Sequence, residues 1–127
     1  MEFLTSGEFK RIAAPGVTSV QIIAPHNAPA ARLSITRIAV EPGCTQDRHH
    51  HPANEQIWLA LSGSGLLLLG DGATKPIAAG DAVRFADGDV HGITNTGSVP
   101  FVYLSITAPP LNLRPADYIA AAKRPGA

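Results

Sequence analysis

Three adjacent histidines are the residues of this sequence whose type and spacing best suit chemistry at a metal ion. Side chains two residues apart on an extended strand lie on the same face, so His49 and His51 can point at one atom while His50 points away. Pro52 ends the strand because it cannot donate to a sheet ladder. The apolar run from Gln56 returns as a second strand and places Gln56 opposite the histidines. This pattern predicts half of a metal site, and at least one further ligand is needed.

Short strands are the elements that must position these side chains. Twelve Gly and eleven Pro among 127 residues, with frequent Val and Ile, indicate strands joined by tight turns. Apolar and β-branched runs predict about nine strands. Near the C-terminus, Pro115 can occupy the first turn of a short helix over residues 116–124, with Tyr118 and Ile119 as its buried face. We therefore expect a single all-β domain, a barrel or sandwich, that covers residues 1–127 and includes a short C-terminal helix.

The charge balance limits the classes of binding partner, and the cysteine content indicates the redox compartment. Ten basic and ten acidic residues give a formal net charge of zero, which argues against binding to nucleic acid or to an anionic membrane. No run of about twenty apolar residues and no leader-like N-terminus occurs, so we expect no membrane association. Cys44 is the single cysteine, which excludes an internal disulfide and suits a reducing compartment. We expect a cytoplasmic protein that binds a small molecule in a local pocket.

The chain resembles a single-domain cupin of the type-2 class in two motifs that lie within residues 43–95. The first motif reads Gly43, His49, His51, Gln56 and Gly63, with Gln where the family usually has Glu. The second reads Gly80, Ala86, Gly88, His91 and Asn95, with Ala where the family usually has Pro. The resemblance implies a jelly-roll barrel of two antiparallel sheets around one metal ion, held by His49, His51, Gln56 and His91. Three imidazoles and one side-chain oxygen suit a divalent ion such as Mn, Fe, Ni, Zn or Cu.

The fourth ligand has an alternative, because Glu55 carries the carboxylate that the family usually supplies. The six-residue gap to Gly63 and strand alternation favour Gln56, while Glu55 would require a bulge before Gly63. An amide does not neutralise metal charge, so a divalent ion would keep a charge of about +2. Such a site favours an anionic or carbonyl-bearing substrate and Lewis-acid chemistry.

Three further residues are candidates for the pocket wall. Trp58 shares a strand face with Gln56, but a core tryptophan is equally compatible with its position. Arg84 can bind a substrate carboxylate, although a surface arginine is the simpler interpretation. Tyr103 is a candidate acid or base that barrel filling explains as well. Asn95 is expected to cap a turn with its amide. The sequence assigns no general acid or base.

Three functions agree with these features. The first is a mononuclear metal enzyme that polarises a carbonyl or enol and performs isomerisation, ring opening or lyase chemistry. The second is an Fe- or Cu-dependent dioxygenase, and the third is a sensor or storage module that binds a small ligand without turnover. Exposed edges of small sheets, and the resemblance, predict a homodimer.

Overall fold

Strands and turns dominate the part of the chain that the computed structural model describes, residues 1–111 and 122–123. The strands are β1 (Lys10–Ala14), β2 (Val17–Ile23), β3 (Ser34–Val40), β4 (Thr45–His49), β5 (Glu55–Ser62), β6 (Ser64–Leu69), β7 (Thr74–Ala78), β8 (Ala82–Phe85), β9 (His91–Thr94), β10 (Phe101–Ala108) and β11 (Ala122–Lys123). Two short 3-10 helices cover Ser6–Glu8 and Gly70–Gly72.

The strands form two antiparallel sheets. One has six strands in the order β1-β2-β3-β10-β5-β8, and the other has five in the order β11-β4-β9-β6-β7. From β3 onward, each strand lies in the other sheet from the strand before it, except that β6 and β7 are neighbours in the same sheet. The predicted all-β jelly roll of two antiparallel sheets is confirmed.

Alternation along the strands determines which side chains enter the space between the sheets. In β5 the buried positions are Gln56, Trp58 and Ala60, while the residues between them point outward. In β10 every second residue from Phe101 to Thr107 is buried. The space between the two sheets must be filled by side chains, so aromatic side chains of β10 and β5 pack together there. The ring centroids of Trp58 and Tyr103 lie 4.4 Å apart.

Gly63 forms the crossing from β5 in the six-stranded sheet to β6 in the five-stranded sheet. Its φ of +76° is one that residues with a side chain rarely adopt. A Cβ atom at this position would lie 2.4 Å from the carbonyl oxygen of Pro100. The glycine that closes the first sequence motif is therefore required by backbone conformation and by close packing.

Asn95 joins the ends of the two sheets away from the histidines. Its side-chain Nδ2 donates to the carbonyl oxygens of Val40 at 2.9 Å and Val99 at 2.8 Å, and its Oδ1 accepts from the backbone N–H of Gly97 at 2.9 Å. The side chain is buried. The prediction that Asn95 caps a turn is confirmed.

The structure departs from the sequence predictions at two places. The strand expected to reach His51 ends at His49. Most of the predicted helix over 116–124, including Tyr118 and Ile119, lies outside the described residues. At Ala122–Lys123, however, the chain is a strand that pairs with β4, because sheet pairing satisfies the backbone groups there. In the described part of the chain, no helix has the length and apolar character needed to cross a membrane.

Candidate metal centre

The side chains of His49, His51 and His91 converge in the space between the sheets. One ligand nitrogen from each lies within 4.8 Å of the other two. The ring centroids of His49 and His91 are 4.4 Å apart, and that of His51 lies 5.2 Å from His49 and 5.4 Å from His91. His50 points to solvent, as the spacing predicts. These three histidines can hold a metal ion.

An irregularity in β4 aims the first two histidines inward. Cys44 and Gln46 are buried, but after a register shift against β9 the inward positions become His49 and His51. A bulge of this kind adds a residue to one strand and reverses the alternation. Gly92 makes room for it, because a Cβ there would lie 2.6 Å from the carbonyl oxygen of Gln46.

Backbone carbonyls fix the orientation of two of the imidazoles. Nδ1 of His49 lies 2.8 Å from the carbonyl oxygen of Asp47, and Nδ1 of His91 lies 3.0 Å from that of Asp89. A carbonyl can only accept, so Nδ1 carries the proton in each ring. The lone pair of Nε2 is therefore available on both rings, as metal ligation requires.

Burial lowers the pKa of two of the imidazoles, those of His51 and His91, and so disfavours their charged form. Desolvation, and next the neighbouring His49, lower the pKa of His91 to about 4, against a smaller opposite effect of the Asp89 carbonyl. Desolvation, followed by His49 and His50, also lowers the pKa of His51. Nε2 of His91 is buried and has no hydrogen-bond partner in the described part of the chain. A neutral, oriented nitrogen without a partner fits a divalent metal ion.

The six-stranded sheet supplies an aromatic and amide wall opposite the histidines. The ring of Phe85 stacks on His91 at 4.5 Å, and the ring of Trp58 meets His91 edge-on at 5.5 Å. Nε1 of Trp58 donates to Oε1 of Gln56 at 3.2 Å, and Gln56 is buried. This hydrogen bond holds the amide oxygen on the inner face and leaves it one lone pair for a second interaction.

The structure does not bring Glu55 and Arg84 to the histidines. Strand alternation turns both side chains to the outer surface, where they form an ion pair with 40% and 62% of their side chains exposed. Phe85, the next residue in β8, takes the inward position. Arg84 is therefore placed as a surface arginine, and Glu55 lies on the opposite face of β5 from Gln56.

Tyr103 lies deep in the barrel and is engaged there. Its hydroxyl donates to Oε1 of Gln46 at 2.8 Å, and its ring packs against Trp58. Phe85 and Gln46 also belong to the inner wall, and neither was predicted from the sequence. Alternation within β8 is the signal that could have identified Phe85, because it places Phe85 on the opposite face from Arg84. No sequence signal marked Gln46, because the irregularity in β4 separates it from the histidines by three residues.

The interior of the described chain carries no formal charge. Its buried polar residues are Ser, Thr, Gln, Asn and His, with no Asp, Glu, Lys or Arg among them. A metal ion held by the histidines would be the dominant charge in this space. Oxygen atoms of a bound small molecule would be drawn toward it.

Comparisons with known proteins agree on the fold. The Cupin_2 family model, which describes a cupin domain, matches residues 36–107. An oxalate-binding protein from Thermotoga maritima is 34% identical over 76 residues, which span 60% of this chain and 61% of that protein. The crystal structure of a predicted oxalate decarboxylase from the same organism has a TM-score of 0.70 and 25% identity, and the match covers 84% of this chain and 98% of that one. The structure of KdgF from a Halomonas species has a TM-score of 0.73 over 87% of this chain and 97% of that one, and its 17% identity shows a shared fold alone.

Proposed function

Because the chain belongs to the cupin family, we propose that it binds one divalent metal ion and uses that ion as a Lewis acid toward a small polar or anionic substrate. The observation that carries this proposal is the convergence of His49, His51 and His91 with their ligand nitrogens within 4.8 Å of one another. Gln56 is the proposed fourth ligand. Mn, Fe, Ni, Zn and Cu all accept such a set of imidazoles and one oxygen.

The proposed reactions are isomerisation, ring opening or lyase chemistry on a carbonyl or enol compound. A divalent ion bound here would supply polarisation of a substrate oxygen. The chain's own residues orient and enclose the site. The Asp47 and Asp89 carbonyls hold two imidazoles in the ligating tautomer, and the rings of Trp58 and Phe85 exclude water from one side. The uncharged wall leaves a substrate anion without competition from buried carboxylates in the described residues.

The test compares three proteins, each incubated with the same divalent metal ion, on a panel of hydroxy acids, keto acids and oxalate. Wild type should turn over at least one member of the panel, and His49→Ala should lose both that activity and the bound metal. His50→Ala is the matched control, since His50 is exposed in the same run of histidines and should keep both. Equal inactivity of wild type and His49→Ala, with metal present in wild type, would contradict an enzymatic role.

A binding role without turnover is a second candidate, favoured by the 34% identical relative that is named an oxalate-binding protein. The absence of buried Asp and Glu in the described chain also supports it, because proton transfer would need a group from elsewhere. Recovery of a tightly bound ligand in unchanged form would favour this role.

Dioxygenase chemistry has less support, because a neutral ligand set stabilises a trivalent ion poorly. Equal turnover with and without oxygen would exclude it.

We further propose that the chain forms a homodimer through the outer face of the six-stranded sheet. Ile57, Leu59 and Leu61 point outward from β5 and are 38%, 36% and 44% exposed. Leu104 and Ile106 of β10 lie directly beside Leu59 and Ile57, so the apolar surface continues across two strands. A second copy would cover it with an identical surface.

Sedimentation at micromolar concentration tests the dimer. Wild type should sediment as a dimer and Leu59→Lys as a monomer, while Thr74→Lys on the exposed part of β7 should stay dimeric. A monomeric wild type would contradict the proposal.

Cys44 is buried and free, in agreement with a reducing compartment. The cytoplasmic location stays a prediction.

A further inference from the structure

The turn between β8 and β9 contacts two of the three histidines. The backbone N–H of Gly88 donates to the carbonyl oxygen of His51 at 2.9 Å. Nδ1 of His91 donates to the carbonyl oxygen of Asp89 at 3.0 Å. Two peptide groups of one turn therefore hold His51, from the first sequence motif, and His91, from the second.

His51 lies beyond the end of β4, so its position depends on contacts from outside the strand. β4 ends at His49, whose imidazole is oriented from within the strand by the carbonyl oxygen of Asp47. The carbonyl oxygen of His51 accepts from the N–H of Asn54 at 3.5 Å and from that of Gly88 at 2.9 Å. The shorter bond comes from the turn, and a displacement of Gly88 would therefore displace the backbone of His51.

The side chain of Asp89 closes this turn. Its Oδ2 atom accepts from the backbone N–H of Ala86 at 2.9 Å, and its own N–H donates to the carbonyl oxygen of Ala86 at 3.0 Å. These two bonds join the first and last residues of the turn, and Gly88 between them has a φ of +83°. Asp is favoured in turns because its carboxylate can bond to the nearby backbone in this way. One side chain thus fixes the conformation from which both histidines are contacted.

A second turn with the same hydrogen bonds lies at the other end of β8. Oδ2 of Asp81 accepts from the N–H of Ala78 at 3.0 Å, and the Asp81 N–H donates to the carbonyl oxygen of Ala78 at 3.0 Å. Gly80 has a φ of +93°, and its N–H donates at 2.9 Å to the carbonyl oxygen of Ala60 in β5. The segments AAGD and ADGD therefore form the same turn twice, once against β5 and once against the candidate metal centre.

We propose that Asp89 is a positioning residue of the candidate metal centre, which closes the 86–89 turn and thereby holds His51 and His91 in place for one ion. This assignment rests on the proposed function, because it takes the histidines as metal ligands. The carboxylate acts through the backbone of the turn. The competing role for it is a purely electrostatic attraction of the ion, which does not need the bond to Ala86.

Zinc titration against a fluorescent chelator tests the assignment with three variants. Asp89→Ala removes the bond to Ala86 and should weaken Zn²⁺ binding about tenfold, as loss of a group that orients metal ligands does. Asp89→Asn keeps an acceptor oxygen at the same position but lacks the charge, so it should bind Zn²⁺ nearly as wild type does. Asp81→Ala opens the matched turn at the other end of β8 and should leave Zn²⁺ binding unchanged.

Nitrogen NMR of the imidazole rings in the metal-free protein provides a second readout, which reports orientation directly. In wild type the proton of His91 should lie on Nδ1, because the Asp89 carbonyl accepts it. Asp89→Ala should move part of the population to the tautomer with the proton on Nε2. Asp89→Asn should restore the wild-type spectrum, and Asp81→Ala should not alter it.

Gly88→Ala and Gly80→Ala change the two turns without altering either carboxylate. A Cβ atom at each glycine meets open space among the described residues, but each φ value strains an alanine. Both variants should therefore lose thermal stability to a similar extent, and only Gly88→Ala should weaken Zn²⁺ binding. This pair tests the turn even where Asp89→Ala fails to fold.

Wild-type Zn²⁺ affinity in both Asp89→Ala and Gly88→Ala would overturn the assignment. Equal weakening in Asp89→Ala and Asp89→Asn would also overturn it, because the charge would then carry the effect. Equal weakening in Asp89→Ala and Asp81→Ala would do the same, because it would reflect lost stability. Failure of wild type to bind Zn²⁺ refutes the metal site and this assignment with it, whereas normal binding that the turn variants leave unchanged refutes the positioning role alone.

Discussion

The ring of Phe85 lies stacked on the ring of His91, with centroids 4.5 Å apart and planes 20° apart. The two residues come from different sheets, so this contact joins the aromatic wall to the candidate metal centre. It also buries the imidazole whose Nε2 has no partner among the described residues. Loss of the Phe85 ring would therefore change both the packing around His91 and the position of the Nε2 atom that is available to a metal ion.

Phe85→Leu should weaken metal binding while the fold is retained. A stacked pair contributes roughly 0.5–1.5 kcal/mol beyond burial, so the metal dissociation constant should rise by up to about tenfold. Competition with a fluorescent chelator measures the change. Phe3→Leu is the control, because Phe3 is 82% exposed. Equal affinities of the two variants would mean that the stack does not orient His91.

Gln56→Glu should tighten the binding of divalent ions. The attraction of a unit charge at about 4 Å is roughly 4 kcal/mol at an effective dielectric near 20, and desolvation of the carboxylate offsets part of it. We expect a gain of about a hundredfold in affinity, measured by metal competition. Glu55→Gln, on the outer face, should change little. A loss of affinity in Glu55→Gln, with no change in Gln56→Glu, would identify Glu55 as the ligand.

The metal-free protein should lose stability as the pH falls from about 6.5 toward 4. Burial lowers the pKa of His91 to about 4, below the value of 6.5 expected in the unfolded chain. Between these values the unfolded chain binds a proton that the folded chain does not, so acid favours unfolding. The full difference corresponds to about 3 kcal/mol. The lowered pKa of His51 acts in the same direction.

Urea unfolding at pH 7, 5.5 and 4.5, with a chelator present, measures this dependence. His91→Gln should reduce it. His26→Gln, at an exposed position, should leave it as in wild type. If His91→Gln keeps the full dependence on pH, His91 does not carry it.

Gly92→Ala should disturb the pairing of β4 with β9. The added Cβ would lie 2.6 Å from the carbonyl oxygen of Gln46 and 2.9 Å from the carbonyl carbon of Asp47, and backbone atoms at such distances have to shift. Overpacking of this kind costs about 1–3 kcal/mol of stability. Metal affinity should fall as well, because the same shift moves His49. Thermal unfolding and metal competition, compared with Gly7→Ala at an open position, measure both effects.

Local rules were sufficient for much of the fold and for part of the site. Alternation predicted that His49 and His51 face one way and His50 the other, and it separated Gln56 from Glu55. The sheet irregularity after Gln46 was not predictable, because it depends on the close approach of Gly92, which lies 46 positions later in the chain. For the same reason the sequence did not identify Gln46 as the partner of Tyr103. Contacts between the sheets, such as that of Phe85 with His91, depend on how the two sheets pack. The sequence of a single strand does not determine that packing.

Trp58 is the single tryptophan of the sequence, and its indole lies 5.5 Å from the His91 ring and donates to Gln56. The tryptophan fluorescence of the protein, excited selectively at wavelengths that tyrosine does not absorb, therefore originates in the wall of the candidate site. Occupancy of the site can be followed as a change in emission without a label, and a paramagnetic ion at the histidines would quench it. The chain thus carries its own optical probe for every titration that the proposed function requires.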